Sequence, residues 1–175
     1  MTEPSLDHRR QWVLSALGQY EQRLVRYAVR LLGDEASARD AVQHAFVRLC
    51  EQPSESLNGR LGPWLFAVCR HRAIDLLRAR GRTETLDATD AALPAGGEPD
   101  PAEAAELDEL YAGLRDRVGR LPAAQGEAVN LWADGFSYAE MARILDTNEG
   151  NVRVLVHRGL ARLRNDPIAR RLFNR

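Results

Sequence analysis

Lysine is absent from the 175 residues, and every one of the 24 basic side chains is arginine. Arginine presents a planar, permanently charged fork that fits phosphate and guanine in two-point contacts. A GC-rich coding bias would also favour arginine, so this absence does not by itself single out a nucleic acid. Cysteine is scarce, with only Cys50 and Cys69 and no CxxC or CxxH spacing. Both are expected to be buried thiols in a reducing cytoplasm, not a disulfide or metal site. Cys69 and His71, the nearest candidate ligand pair, point about 200° apart on one helix and cannot chelate together. No apolar run reaches membrane-spanning length, and the opening MTEPSLDHRR lacks the apolar centre of a secretory signal. Glycine-rich phosphate loops and nucleophile elbows are missing too, so neither an enzyme nor a cofactor is expected.

What is present is strongly segregated by charge. The formal net charge is −1, yet residues 1–82 hold 13 arginines against 9 acids and residues 111–175 hold 11 against 7. Between them, residues 83–110 carry 9 acids and no base. Within that stretch TETLDATDAALPAGGEPDP, residues 83–101, has no hydrophobic period and several helix breakers, and reads as a flexible acidic linker. The expected architecture is therefore all-α: two small helical domains, 1–82 and 102–175, on one tether.

The stretch SYAEMARILDTNEGNVRVLVHRGLARLR, residues 137–164, carries the clearest functional pattern. Ser137 followed by Glu140 is a capping box, and Tyr138, Met141, Ala142 and Leu145 then recur at helical spacing. Asp146 interrupts the pattern, and Thr147 is the candidate N-cap of a second helix. That helix keeps Val152, Val156, Leu160 and Leu163 on one side, with Arg153, Val154, His157 and Arg164 roughly opposite. Arg158 and Arg162 fall on the flank. A short, nearly uncharged helix followed by a longer one with a basic outer face is a helix-turn-helix. A solvated face on an ordinary hairpin is the competing explanation.

In the first domain, residues 8–32 form one long helix or two collinear ones on Leu17, Tyr20, Leu24, Tyr27, Ala28 and Leu31, closed by Gly33. Asp34 caps a second helix over about 35–51, with Ala38, Val42, Ala45, Phe46 and Leu49 inward. Asp40, Gln43, His44, Val47 and Glu51 form an opposite mixed stripe that fits either a solvated face or a docking surface. Residues 53–63 (PSESLNGRLGP) form a turn-rich loop centred on Asn58–Gly59, and Pro63 opens a third helix to about residue 80. Leu65, Cys69, Ala73, Leu76 and Leu77 should face inward, with Trp64, His71, Asp75, Arg78 and Arg82 outward. Arginines beside an aromatic and a loop can serve as a platform for unstacked bases, although Trp64 can equally tuck against a neighbouring helix. Residues 102–120 and 121–133 complete the second domain as helices, ended by Gly135.

Taken in order, these segments resemble an RNA polymerase sigma factor of the extracytoplasmic-function group of the sigma-70 family. RLLGDEASARDAVQHAFVRL is similar to the segment that binds the polymerase core, and GPWLFAVCRHRAIDLLRARGR to the one that melts and reads the −10 element. LPAAQGEAVNLWADGFSYAEMARIL with EGNVRVLVHRGLARL resembles the −35-binding domain. The resemblance implies that Asp40, Gln43, His44 and Val47 dock on the polymerase core. It implies that Asn58 and Arg60 hold a flipped base, and that Trp64, His71, Arg72, Asp75 and Arg78 border opened −10 DNA. Arg153, Val154 and His157 would face −35 bases, while Asn151, Arg158 and Arg162 grip phosphates. It further implies a cytoplasmic protein without membrane insertion, partnered by core polymerase, promoter DNA and an anti-sigma factor. This chain departs from the family pattern at His44, Cys50, His71, Gly126, Val154 and Leu155. The alternative is a stand-alone helix-turn-helix regulator in which residues 1–82 sense or dimerise.

Overall fold

A computed structural model of the chain describes residues 6–81, 113–114 and 116–165. The chain divides into two compact units, Met1–Pro94 and Ala95–Arg175. The acidic linker expected at 83–101, most of the helix expected at 102–120, Arg82 and the last ten residues lie outside the described residues. Among the described residues all regular structure is helical, as the all-α reading requires.

The first unit is a three-helix bundle. Helix α1 spans Leu6–Leu32 without a break and buries Ala16, Leu24, Tyr27, Ala28, Val29 and Leu32. It stops at Gly33, whose φ of 76° places it in the left-handed region that glycine adopts without a Cβ clash. Asp34 is extended and accepts a 2.8 Å hydrogen bond from the Ser37 amide, starting α2 (Glu35–Cys50). The inner face of α2 includes Ala38, Ala41 and Ala45, small enough to let neighbouring helices approach, and Val42, Phe46 and Leu49 fill the remaining volume.

Residues 53–63, expected as a turn-rich loop, contain a short 3₁₀ turn over Ser54–Leu57 that buries Leu57. Helix α3 (Leu61–Gly81) starts two residues earlier than Pro63. Pro63 thus stands third in the helix, still within the first turn, where its missing N–H removes no intrahelical bond. Gly62 lies against Tyr20, with a Cβ there only 3.1 Å from the ring. The core closes where the Tyr27 and Phe66 rings meet at 5.1 Å, tilted by 48°. Arg80 then ties all three helices together. Its guanidinium donates to the Leu32 carbonyl at 3.0 Å, to the Asp34 carboxylate and to the Ser37 hydroxyl. The Ser37 amide bond, helped by Arg80, holds the Asp34 carboxyl below its ordinary value.

Two expectations fail in this unit. Cys50 is exposed, because it falls on the outer face of α2 beside Val47 while Phe46 and Leu49 of the same turn are buried, whereas Cys69 is buried. Leu77 is 40 % exposed rather than inward-facing, and Leu76 is half-buried; toward that end of α3 it is Arg80 that meets the α1–α2 corner.

The second unit is built on α4 (Ala123–Ala133), α5 (Tyr138–Ile144) and α6 (Glu149–Asn165). Helix α4 ends at Asp134 and Gly135, the latter with φ 89°, and turns the chain into α5 through buried Phe136. The capping box forms as expected: the Ser137 amide and hydroxyl donate to the Glu140 carboxylate at 2.8 and 2.7 Å, and the Glu140 amide returns a bond at 3.3 Å. These bonds lower the Glu140 carboxyl from its ordinary value. On α5 the buried residues are Met141, Ala142 and Ile144. Leu145, expected inside, is the half-buried C-cap. Asp146 then adopts φ 53° to make the tight turn.

The N-cap of α6 is Asn148 rather than Thr147: its side-chain oxygen accepts from the Asn151 amide at 2.8 Å. Val152, Val156, Gly159 and Leu163 form the buried seam of α6, with Leu160 only half-buried. Gly159 is where α6 crosses α4. A Cβ at that position would sit 2.6 Å from Val129 Cγ2 and 3.3 Å from the Gln125 carbonyl.

Gly159→Ala should therefore destabilise the second unit despite a gain of about 1 kcal/mol in helix propensity, because overpacking costs roughly 1–3 kcal/mol. In urea unfolding the Gly159→Ala, Val129→Ala double variant should lose less than the two single losses combined. Asp34→Ala should cost about 1–2 kcal/mol as the cap is lost. Since the folded carboxyl titrates below 3.8, the stabilisation is complete above that pH and disappears as pH falls through the lowered value. Acid titration of unfolding should show a shallower loss in the variant than in the parent.

Candidate nucleic-acid and docking surfaces

Helix positions sharing the inner face are buried, so the residues between them have to face out. On α2 this leaves Asp40, Gln43, His44 and Val47 exposed along one side, with Val47 at 52 %. Cys50 and Glu51 continue that surface at its C-terminal end. On α3, His71, Asp75 and Arg78 are exposed and Trp64 is half-buried. Arg78 and Asp75 lie 3.7 Å apart, a weak solvent-screened pair.

The loop between these helices is shaped by local bonds. The Arg60 guanidinium donates to the Ser56 carbonyl at 3.1 Å, and its amide donates to Leu57 at 2.9 Å. Gly59 takes φ 70° at the tip, leaving Asn58 and Arg60 exposed on either side. Arg72 is placed differently from its helical neighbours. It reaches across to α2 and donates through Nη2 and Nε to Asp40 at 2.8 and 3.2 Å. The structure thus joins a residue of the exposed α2 stripe to an arginine of α3, a pairing that no sequence spacing announces.

In the second unit, Asn151, Arg153, Val154, His157, Arg158 and Arg162 are all exposed on α6, outside the buried seam. Several are held by neighbours. Arg153 stacks over the Tyr138 ring at 5.2 Å and lies 3.6 Å from Glu149. Asn151 donates to the Thr147 hydroxyl at 3.1 Å. Arg162 donates to the side chain of buried Gln125 at 2.8 Å, which fastens α6 to α4. Gln125, Tyr138 and Glu149 are thus supporting residues that the sequence reading missed. Only the Glu149–Arg153 pair had a visible signal, its i,i+4 spacing. The other partners come from separate helices.

Comparison with known proteins settles the family. A model of Sigma-70 region 2 matches residues 17–83, and one of Sigma-70, region 4 matches residues 112–163. The chain is 34 % identical over 146 residues to the ECF RNA polymerase sigma factor SigL of Mycobacterium tuberculosis strain H37Rv, a match covering 81 % of this chain and 80 % of that one. The chain belongs to the ECF RNA polymerase sigma factors. It is also 31 % identical over 150 residues to the ECF sigma factor SigE of Mycolicibacterium smegmatis, spanning 58 % of that relative's length. A solved structure of the sigma factor RpoE of Bartonella quintana, in complex with the anti-sigma factor NepR, shares the fold. Its TM-score is 0.59 at 23 % identity, covering 89 % of this chain and 93 % of that one.

The region 2 match of this sigma factor falls within the first unit, and the region 4 match takes in α4, α5 and all but the last two residues of α6. Among the described residues no helix is long and apolar enough to cross a membrane. The two thiols of the region 2 unit offer a direct check on its packing. Burial pushes the Cys69 thiol up to about 12, while Cys50 stands exposed at the end of α2. A disulfide reagent at pH 8 should titrate Cys50 rapidly in the folded protein and reach Cys69 only after urea is added, as counted by released chromophore.

Proposed function

We propose that this sigma factor directs RNA polymerase core to particular promoters and helps open their DNA, while carrying no catalytic group of its own. It works in the cytoplasm, with residues 1–82 docking on core and engaging the −10 element, residues 83–101 as an acidic tether, and residues 102–175 engaging the −35 element. The observation that carries this reading is the sidedness of α6: a buried seam of Val152, Val156 and Leu163 leaves Arg153, Val154, His157 and Arg158 together on the outside. A groove reader needs that division between a packed back and a basic front.

Each remaining site has its own support. The exposed stripe of Asp40, Gln43, His44 and Val47 offers polymerase a surface with both hydrogen-bonding groups and an apolar centre. The same stripe is where an anti-sigma factor would compete. Asn58 and Arg60 flank a glycine-tipped loop suited to a flipped base, and Trp64, His71, Arg72, Asp75 and Arg78 border the path of the opened strand. Weak binding by each unit alone is offset when the polymerase holds both on one scaffold and raises their effective concentration.

The test is run-off transcription with purified core on a promoter selected by this sigma factor. Arg153→Ala should weaken one −35 position more than others, since a good arginine–guanine pair contributes roughly 1–3 kcal/mol of discrimination. Arg158→Ala should instead lower binding on all sequences and flatten its salt dependence. Indifference of transcription to both substitutions would remove the promoter-reading assignment.

A further inference from the structure

The outward crest of α6 is not its most basic line. With about 100° of turn per residue, the direction opposite Val152, Val156, Gly159 and Leu163 is occupied by Gly150, Val154 and Ala161. Val154 stands at the middle of this crest and is 43 % exposed. Arginines lie to both sides, Arg153 on one, beside His157, and Arg158 and Arg162 on the other. A ridge with small side chains at its top and cations along its flanks can press its backbone deep into a groove while the flanks meet phosphates.

The groups able to hydrogen-bond bases near the start of α6 are partly engaged within the protein. Arg153 leans on Tyr138 and Glu149, and Asn151 is turned to Thr147. Among the side chains aimed straight away from the packed seam, the largest is thus a branched hydrocarbon. Folding offers no reason for it, since an exposed valine is a poorer helix former than alanine. In the major groove the one apolar feature on a base edge is the C5-methyl group of thymine.

We propose that Val154 selects for the C5-methyl of a thymine in the promoter element read by α6, so that part of this chain's sequence preference is apolar. The proposal rests on the promoter-reading function above and adds the chemical group that is read. Contact between the valine methyls and the thymine methyl excludes water from both. A cytosine at that position offers an amino group instead, which the valine would leave without a partner.

The experiment uses the full chain with polymerase core on a −35 element selected from a randomised library. Each thymine, on either strand, is replaced singly by deoxyuridine, which removes the methyl and nothing else. At one thymine the replacement should lower promoter-complex affinity about fourfold, equivalent to roughly 0.8 kcal/mol. Val154→Ser should abolish that difference while leaving the melting temperature of the free protein unchanged, because the position is exposed. Arg158→Ala should lower affinity for thymine and uracil duplexes alike and keep the fourfold ratio. The proposal is overturned if no thymine is selected, if every replacement is neutral, or if Val154→Ser keeps the full ratio. Should any of these occur while Arg158→Ala still weakens binding, promoter reading stands and only the methyl contact fails. Insensitivity to Arg153, Arg158 and Val154 substitutions together would remove both.

Discussion

Helix α6 crosses α4 at Gly159, with no room for a Cβ against Val129 and the Gln125 backbone. This contact fixes how α6 is rotated. A turn of the helix by one residue would move every side chain by about 100° and carry Val154 or Arg158 toward the interior. Arg162 reinforces the same setting by bonding Gln125 from the flank, and Val152 and Val156 complete the seam. The exposed arginine-bearing face of α6 is thus specified from behind, by the residues it does not contain. Tyr138 and Glu149 add a second layer by steering Arg153 from the preceding helix and from the turn before it.

The region 2 unit solves a different problem, holding two outward faces on two adjacent helices. Asp34, Ser37 and Arg80 lock the α1–α2 corner to the end of α3, and the Tyr27–Phe66 contact fills the centre. On that base the exposed stripe of α2 and the outer side of α3 are bridged by Arg72 and Asp40. The bridge is solvent-exposed and contributes little to stability. Its effect is on availability: while paired, each group is partly neutralised for any outside partner.

Charge along the chain complements these shapes. Both ends carry an excess of arginine, and residues 83–110 carry only acids. An acidic stretch between two arginine-rich ones would be repelled by a polyanion that attracts its flanks. The Arg153 guanidinium can stack on Tyr138 and still offer its edge to a second partner, which a lysine ammonium could not do.

The amino-acid order by itself determined most of the helices and the side of each that faces out. Those features follow from a 3.6-residue period and from local caps such as Ser137 with Glu140, both written within a few neighbouring positions. It also carried the family resemblance and the charge segregation. It misplaced Cys50, Leu77 and Leu145, and chose Thr147 over Asn148 as a cap, because element ends depend on what covers them. Only the tertiary structure decided that Arg72 meets Asp40, that Arg162 meets Gln125, and that Arg80 clasps the α1–α2 corner. Each of these joins residues more than thirty positions apart. Such pairs arise from how helices cross, and helical periodicity contains no information about crossing.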